Sequence, residues 1–272
     1  MMQRNAAKES QRLTQVRILV YFSFLIINAL ITGCSVFSPT ERSDDRIEFV
    51  NREKASQARL TLGLAYLEQG NLRLAYSNLQ RAAAHSPGNY QTHLAIALYE
   101  QRVGEYDKAR KSYRRALSLA PDDSITLNHY GVFLCNEGQY IKAHEQFELA
   151  LNHANYDIIA NSLENTGYCY LKQGQYKQAQ EFLNRALKYE PVKSKNLLVI
   201  AENYLEARQD EHVAVLLDIY QQNLPITAES LWLRIRFAAL NRKLDNVKHY
   251  GQQLAKNFSQ SEQYKQFLAH EY

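Results

Sequence analysis

Two consecutive stretches decide the fold: YQTHLAIALYEQRVGEYDKARKSYRRALSLAPDD (residues 90–123) and SITLNHYGVFLCNEGQYIKAHEQFELALNHANYD (residues 124–157). Set one above the other, they carry a small residue at position eight (Ala97, Gly131) and glycine at position fifteen (Gly104, Gly138). Alanine recurs at position twenty (Ala109, Ala143) and at position 27 (Ala116, Ala150). The same marks stand upstream in 56–89 (Gly63, Gly70, Ala75, Ala82). They return in 160–193 (Gly167, Gly174, Ala179, Ala186), after two extra residues, Ile158 and Ile159. Pro87, Pro121 and Pro191 close three of the four blocks. Apolar residues at four, seven, eleven, 24 and 28 have helical spacing. Each block therefore reads as two helices. Glycine at fifteen takes the left-handed conformation that ends helix A. Small residues at eight and twenty let helices A and B approach, and proline stops helix B. No stretch alternates as a strand does.

A 34-residue unit of this kind resembles the tetratricopeptide repeat. The period continues more loosely. Pro225 follows Pro191 by 34 residues, Arg208 stands where glycine is expected, and Ala214 comes one place late. A sixth pair occupies 228–261, and 262–272 reads as a terminal helix or tail. Degenerate end units are expected, since the last must turn a polar face to water. The expected fold is all-α, a tetratricopeptide-repeat superhelix (α-solenoid) of about six helix pairs: 56–89, 90–123, 124–157, 160–193, 194–227 and 228–261. Trp232 reads as packing.

The N-terminus is of another kind. Arg4, Lys8, Arg12 and Arg17 precede the apolar run Ile18–Ile31, whose fourteen residues suit a signal-peptide core and fall short of a membrane span. Ile31-Thr32-Gly33-Cys34 resembles the bacterial lipobox. The resemblance implies cleavage after residue 33 and acylation of Cys34, with Ser35 resembling an outer-membrane sorting signal. Several acyl chains make a firm anchor where one is marginal. The expected location is the outer membrane, with the repeats facing the periplasm. Polar residues 34–55 read as the lipidated cysteine and a flexible tether, or in 46–55 as an ordered strap along the first helix. Without 1–33 the chain carries 28 basic and 27 acidic residues, so its formal charge falls from +4 to +1. That balance gives no support for nucleic-acid binding.

Motifs of nucleotide or acyl-transfer enzymes are absent from the sequence: no GxGxxG, GxxxxGK[ST] or GxSxG occurs. His144-Glu145-Gln146-Phe147-Glu148 lacks the second histidine of a zinc site and reads as a solvated helix face. Tyr66, Tyr106, Tyr140, Tyr170 and Tyr176 occupy repeat positions and read as core. The expectation is a protein that is not an enzyme, with no metal, cofactor or small-molecule substrate.

What remains is a binding surface. Helices A line the inner wall of such a superhelix, with positions two, five, six, nine, twelve and thirteen pointing inward. The expected groove includes Leu60, Leu64, Leu94, Leu98, Asn128, His129, Val132, Glu164, Asn165, Tyr168 and Leu171. In tetratricopeptide proteins an asparagine at position six often bonds a ligand backbone. Asn165 matches it, and His129 takes that place one block earlier. The basic clamp by which some relatives hold a terminal carboxylate has no counterpart. Cys135 and Cys169 lie late in successive A helices. In an oxidising periplasm they read as a disulfide, with two small buried hydrophobes as the alternative.

NHYGVFLCNEGQYIKAHEQFELAL, the two-residue insertion and SLENTGYCYLKQGQYKQAQEFLNRAL resemble the PilW (PilF) family of type IV pilus biogenesis lipoproteins. The likeness is strongest over 124–191. Family members act as pilotins that help the outer-membrane secretin localise and multimerise, or they stabilise pili. The resemblance implies a non-enzymatic scaffold whose partner is the secretin or another pilus assembly protein. The alternatives are an envelope scaffold for outer-membrane protein assembly and a regulator of murein enzymes.

Overall fold

The computed structural model describes residues 40–272, which are helical throughout apart from short connections. Met1–Lys54 and Ala55–Tyr272 are separate compact units. The signal peptide and Cys34 lie outside the described residues. The first helix, α1 (Thr40–Glu68), runs through much of the stretch expected to be a tether. The reason is local: no glycine or proline interrupts the chain from Thr40 to Leu62, and Glu, Arg, Lys, Ala and Gln are good helix formers.

From Ala55 onward the chain is a row of antiparallel pairs. The end of α1 pairs with α2 (Leu72–His85), α3 (Tyr90–Arg102) with α4 (Tyr106–Leu119), and α5 (Ser124–Asn136) with α6 (Tyr140–His153). Then follow α7 (Tyr156–Lys172) with α8 (Tyr176–Tyr189), α9 (Ser194–Glu206) with α10 (Asp210–Asn223), and α11 (Ala228–Leu240) with α12 (Leu244–Asn257). The short α13 (Glu262–Leu268) closes the end. Ile158 and Ile159 are absorbed at the start of α7, making it longer than the other A helices of the row instead of adding a loop. Between units, α5 packs on α7 and α9 on α11, and the B helices α2, α4, α6 and α10 each meet the A helix that follows.

Position eight meets position 24 of the same unit. A Cβ built on Gly63 comes 2.6 Å from Leu79 Cδ2, one on Gly131 comes 2.6 Å from Phe147 Cε1, and one on Gly167 comes 2.6 Å from Leu183 Cγ. The glycines are therefore required because a large side chain from helix B lies against helix A's backbone. In the sixth pair the sizes change places. Position eight is Ile235, position 24 is Gly251, and Phe267 of α13 closes onto that glycine. Tyr113, Phe133 and Phe147 are the largest fully buried side chains of the central units. Tyr106 departs from its expected core place and is half exposed. As the first residue of helix B it has neighbours on one side only, including the ring of Phe133 at 6.4 Å.

The turns follow their residues. Asn71, Asn89 and Asp123 cap α2, α3 and α5, accepting hydrogen bonds from the backbone N–H of Leu74, Thr92 and Thr126. Gly70, Gly104, Gly138 and Gly174 sit at φ between 72° and 81°. In the two degenerate units Arg208 and Arg242 hold the same corner at φ 57° and 55°. A side chain is strained there, by about 1 kcal/mol. Arg208→Gly should therefore raise stability by up to about 1 kcal/mol, since both arginines are exposed. A melting temperature that stays level or falls counts against this account.

A disulfide joins Cys135 of α5 to Cys169 of α7, with the Cα atoms 5.9 Å apart. Both cysteines are buried in the aromatic core. The bond closes a loop with a sequence separation of 34, worth about 3–4 kcal/mol by loss of chain entropy in the unfolded state. Adding reductant should lower the urea midpoint accordingly, and the Cys135→Ser, Cys169→Ser chain should not respond to reductant. An unchanged midpoint for the natural chain under reductant contradicts this.

His144 is placed differently from the expectation of a solvated face. Its ring stacks on Tyr170 at 3.9 Å, and Gln173 bonds it at 2.7 Å, stitching α6 to α7. Among the described residues, no three His, Cys, Asp or Glu side chains are grouped to hold a metal ion.

Candidate functional site

The A helices carry three adjoining regions on one face. The first is a cleft of about 340 Å³ between α1, α3 and α5. Leu60, Thr61 and Leu64 line it from α1, Leu94 and Leu98 from α3, and Ile125 and His129 from α5. Leu60 is nearly buried and serves as floor, whereas Ile125 is 43% exposed and stands at the rim. Burial pushes the pKa of His129 below the usual imidazole range, against the opposing pull of Asp123. The cleft therefore favours the neutral ring, which offers one donor and one acceptor.

The second region is polar and its groups are largely committed to one another. Asn165 Nδ2 donates to Asn128 Oδ1 at 3.3 Å, joining α7 to α5. Glu164 accepts from Lys193 Nζ at 2.9 Å, from Asn196 Nδ2 at 3.0 Å and from the Tyr168 hydroxyl at 3.3 Å. Lys193 also donates to Asn161 at 2.6 Å. Burial, with Glu164 beside it, pushes the Tyr168 pKa upward, so the phenol remains a donor. Three residues expected in the groove are covered instead. Glu164 is a buried tie between α7 and the start of α9, and Leu171 is completely buried in the core. At α7 the neighbouring A helices cover both positions. Asn128 is buried as well, Asn165 and Tyr168 are half-buried, and Val132 packs part-buried against the aromatic core.

The third region was missed by sequence reasoning. It is a cleft of about 600 Å³ between α9 and α11, lined by Leu198, Val199, Trp232 and Leu233. Lys195, Glu229 and the Arg236–Glu202 ion pair ring it. Trp232 packs on the sixth pair and also faces this cleft. The signal was present in the chain. Lys195 and Glu229 are position two, Leu198 and Trp232 position five, and Glu202 and Arg236 position nine of their units. Those are the inward positions already applied to the first four repeats. The weak period after Pro191 hid them.

Apolar clefts separated by amides suit an extended peptide, with side chains entering the clefts and backbone groups meeting the amides. Family models described as tetratricopeptide repeat match residues 60–124 and 122–189. The chain is a tetratricopeptide-repeat protein. Its repeats are similar to those of the type IV pilus assembly protein PilF of Pseudomonas aeruginosa, 29% identical over 218 residues, or 80% of this chain and 86% of PilF. The solved PilF structure superposes with a TM-score of 0.57, covering 81% of this chain and 99% of the chain in that structure. The crystal structure of PilW, described as a widely conserved type IV pilus biogenesis factor, gives the same TM-score at 28% identity, covering 78% and 98%. An uncharacterised protein of Haemophilus influenzae is 38% identical over 120 residues, or 44% of this chain and 67% of that protein.

Proposed function

We propose that this tetratricopeptide-repeat chain is a non-enzymatic scaffold in type IV pilus assembly. Acyl chains on Cys34 anchor it to the outer membrane, and the repeats face the periplasm. Its A-helix face takes an extended segment of the outer-membrane secretin or of another pilus assembly protein. That contact helps the secretin localise and multimerise, or stabilises pili. The observation carrying this reading is the likeness to PilF and PilW across the repeat domain, on a face whose open features are apolar clefts.

The rim of the first cleft provides the test. Ile125 is exposed, so Ile125→Asp leaves the fold intact while placing a charge where an apolar side chain should enter. Binding should fall about tenfold or more if the cleft is an anchor point. Cells carrying Ile125→Asp should keep the protein at normal level and lose heat-stable secretin multimers, surface pili and twitching. Wild-type multimers and pili would remove this cleft from the function.

A further inference from the structure

The cleft between α9 and α11 differs from the rest of the A-helix face in its charges. Lys195, Leu198, Val199 and Glu202 fall at i, i+3, i+4 and i+7 of α9, and all four line the cleft. Glu229, Trp232, Leu233 and Arg236 repeat that stripe on α11, each 34 residues on and with both charges reversed. The first four units carry no charge at the two outer places of the stripe. Position two is Gln57, Gln91, Ile125 and Asn161, and position nine is Leu64, Leu98, Val132 and Tyr168. Reversed signs on packed neighbours place opposite charges across the cleft from each other at both ends. At one end the pair is made, between Arg236 and Glu202. At the other, two helical turns or about 10 Å away, Lys195 and Glu229 are exposed. Neither makes an ion pair among the described residues. The cleft is closed by an ion pair at one end and open between two free charges at the other.

Between those ends the lining is apolar. Leu233 is buried and serves as floor, half-buried Trp232 forms a wall, and Val199 is 59% exposed at the rim. A lipid tail would satisfy this lining and leave both free charges unused. A peptide with a large apolar residue between an acidic and a basic one uses all of it. The spacing agrees. Packed helices lie about 8–10 Å apart. Side chains on one side of an extended segment recur every two residues, about 7 Å. An acidic and a basic residue four apart therefore bracket one apolar residue, and their flexible ends reach Lys195 and Glu229. We infer that the α9–α11 cleft binds an extended segment with a large apolar side chain in the cleft, an acidic residue two places to one side against Lys195, and a basic residue two places to the other against Glu229. The inference rests on the reading that the A-helix face takes an extended segment, and it gives that segment a sequence class. Charges so placed supply specificity more than affinity, because a peptide of the wrong order sets like charges against each other.

Selection from a displayed library of random nonapeptides tests this on the full chain and on four variants: Lys195→Glu, Glu229→Lys, Val199→Asp and Ile125→Asp. All four positions are exposed, so the fold is kept. The natural chain should enrich peptides in which one acid and one base bracket a large apolar residue. Glu229→Lys should enrich acids on both sides, and Lys195→Glu bases on both sides. The charge preference should fade as salt is raised. Val199→Asp should weaken a selected peptide about tenfold or more, read by fluorescence anisotropy. Ile125→Asp should leave the preference unchanged, because it touches only the first cleft. No enrichment, or the same enrichment in both charge variants, overturns the proposal, as does a preference that Ile125→Asp removes. Displacement of the selected peptides by palmitate also overturns it, assigning the cleft to an acyl chain. A dimer of the natural chain that Val199→Asp dissolves overturns it as well, assigning the cleft to a second copy. If selection follows the charges while cells carrying Val199→Asp keep wild-type pili, the peptide site stands and its part in pilus assembly fails. If pili are lost while selection ignores the charges, the pilus reading stands and this proposal fails.

Discussion

Lys193→Ala should destabilise the chain by about 3–5 kcal/mol, a large loss for one side chain at the surface end of a helix pair. Lys193 ends the short 3₁₀ turn Pro191–Lys193 and ties it to α7 through Glu164 and Asn161. The lysine and glutamate side chains are only 10% and 9% exposed, so solvent screens their attraction weakly. Removing the ammonium leaves the Glu164 carboxylate in place with the amide of Asn196 and the hydroxyl of Tyr168, too little to replace a cation. Replacing both partners is a different matter. Glu164→Gln with Lys193→Met removes both charges at similar volume and should recover most of the loss. Urea unfolding of the natural chain, the single variant and the double variant measures the coupling. A Lys193→Ala midpoint within error of the natural chain would show that solvent reaches this pair and that α9 is held by packing alone.

The same pair shows where sequence reading stops. The helix pairs, their corners and their close approaches were legible, because each rests on a residue with one strong physical demand. Glycine at φ near 75° and a missing Cβ beneath a buried leucine or phenylalanine leave period-34 marks in the sequence. The groove was legible only as a set of inward positions. Whether such a position meets water or a neighbouring helix depends on how successive pairs stack, and the period does not encode that. Glu164 and Leu171 obey the inward rule and are nonetheless covered, whereas Leu198 and Trp232 obey it and face a cleft. The helical start of α1 was read as a tether, with an ordered strap over 46–55 as the alternative, for a different reason. Charged, polar sequence without a periodic apolar stripe reads as a tether, yet the same residues favour helix strongly when no glycine or proline breaks them.

Phe147→Ala should cost about 3–5 kcal/mol, the usual range for emptying a buried phenylalanine site. Phe147 is 1% exposed and lies in one cluster with Tyr113, Phe133, Leu134 and both disulfide cysteines. Its ring also fills the space that a Cβ on Gly131 would need, with Cε1 2.6 Å and Cδ1 2.7 Å from that point. Gly131→Ala alone should therefore destabilise by about 1–3 kcal/mol, because the ring cannot withdraw without disturbing its neighbours. The two changes relieve each other: the alanine methyl meets a void once the ring is gone, and alanine suits a helix interior better than glycine. The double variant should be more stable than the sum of the single losses requires, by 1 kcal/mol or more of coupling, on the order seen for residues in contact. Chemical unfolding of the four chains of this cycle measures it directly. Strict additivity would mean that Gly131 is not there to admit the ring, and the pairing of positions eight and 24 would lose its role in setting the distance between helices A and B.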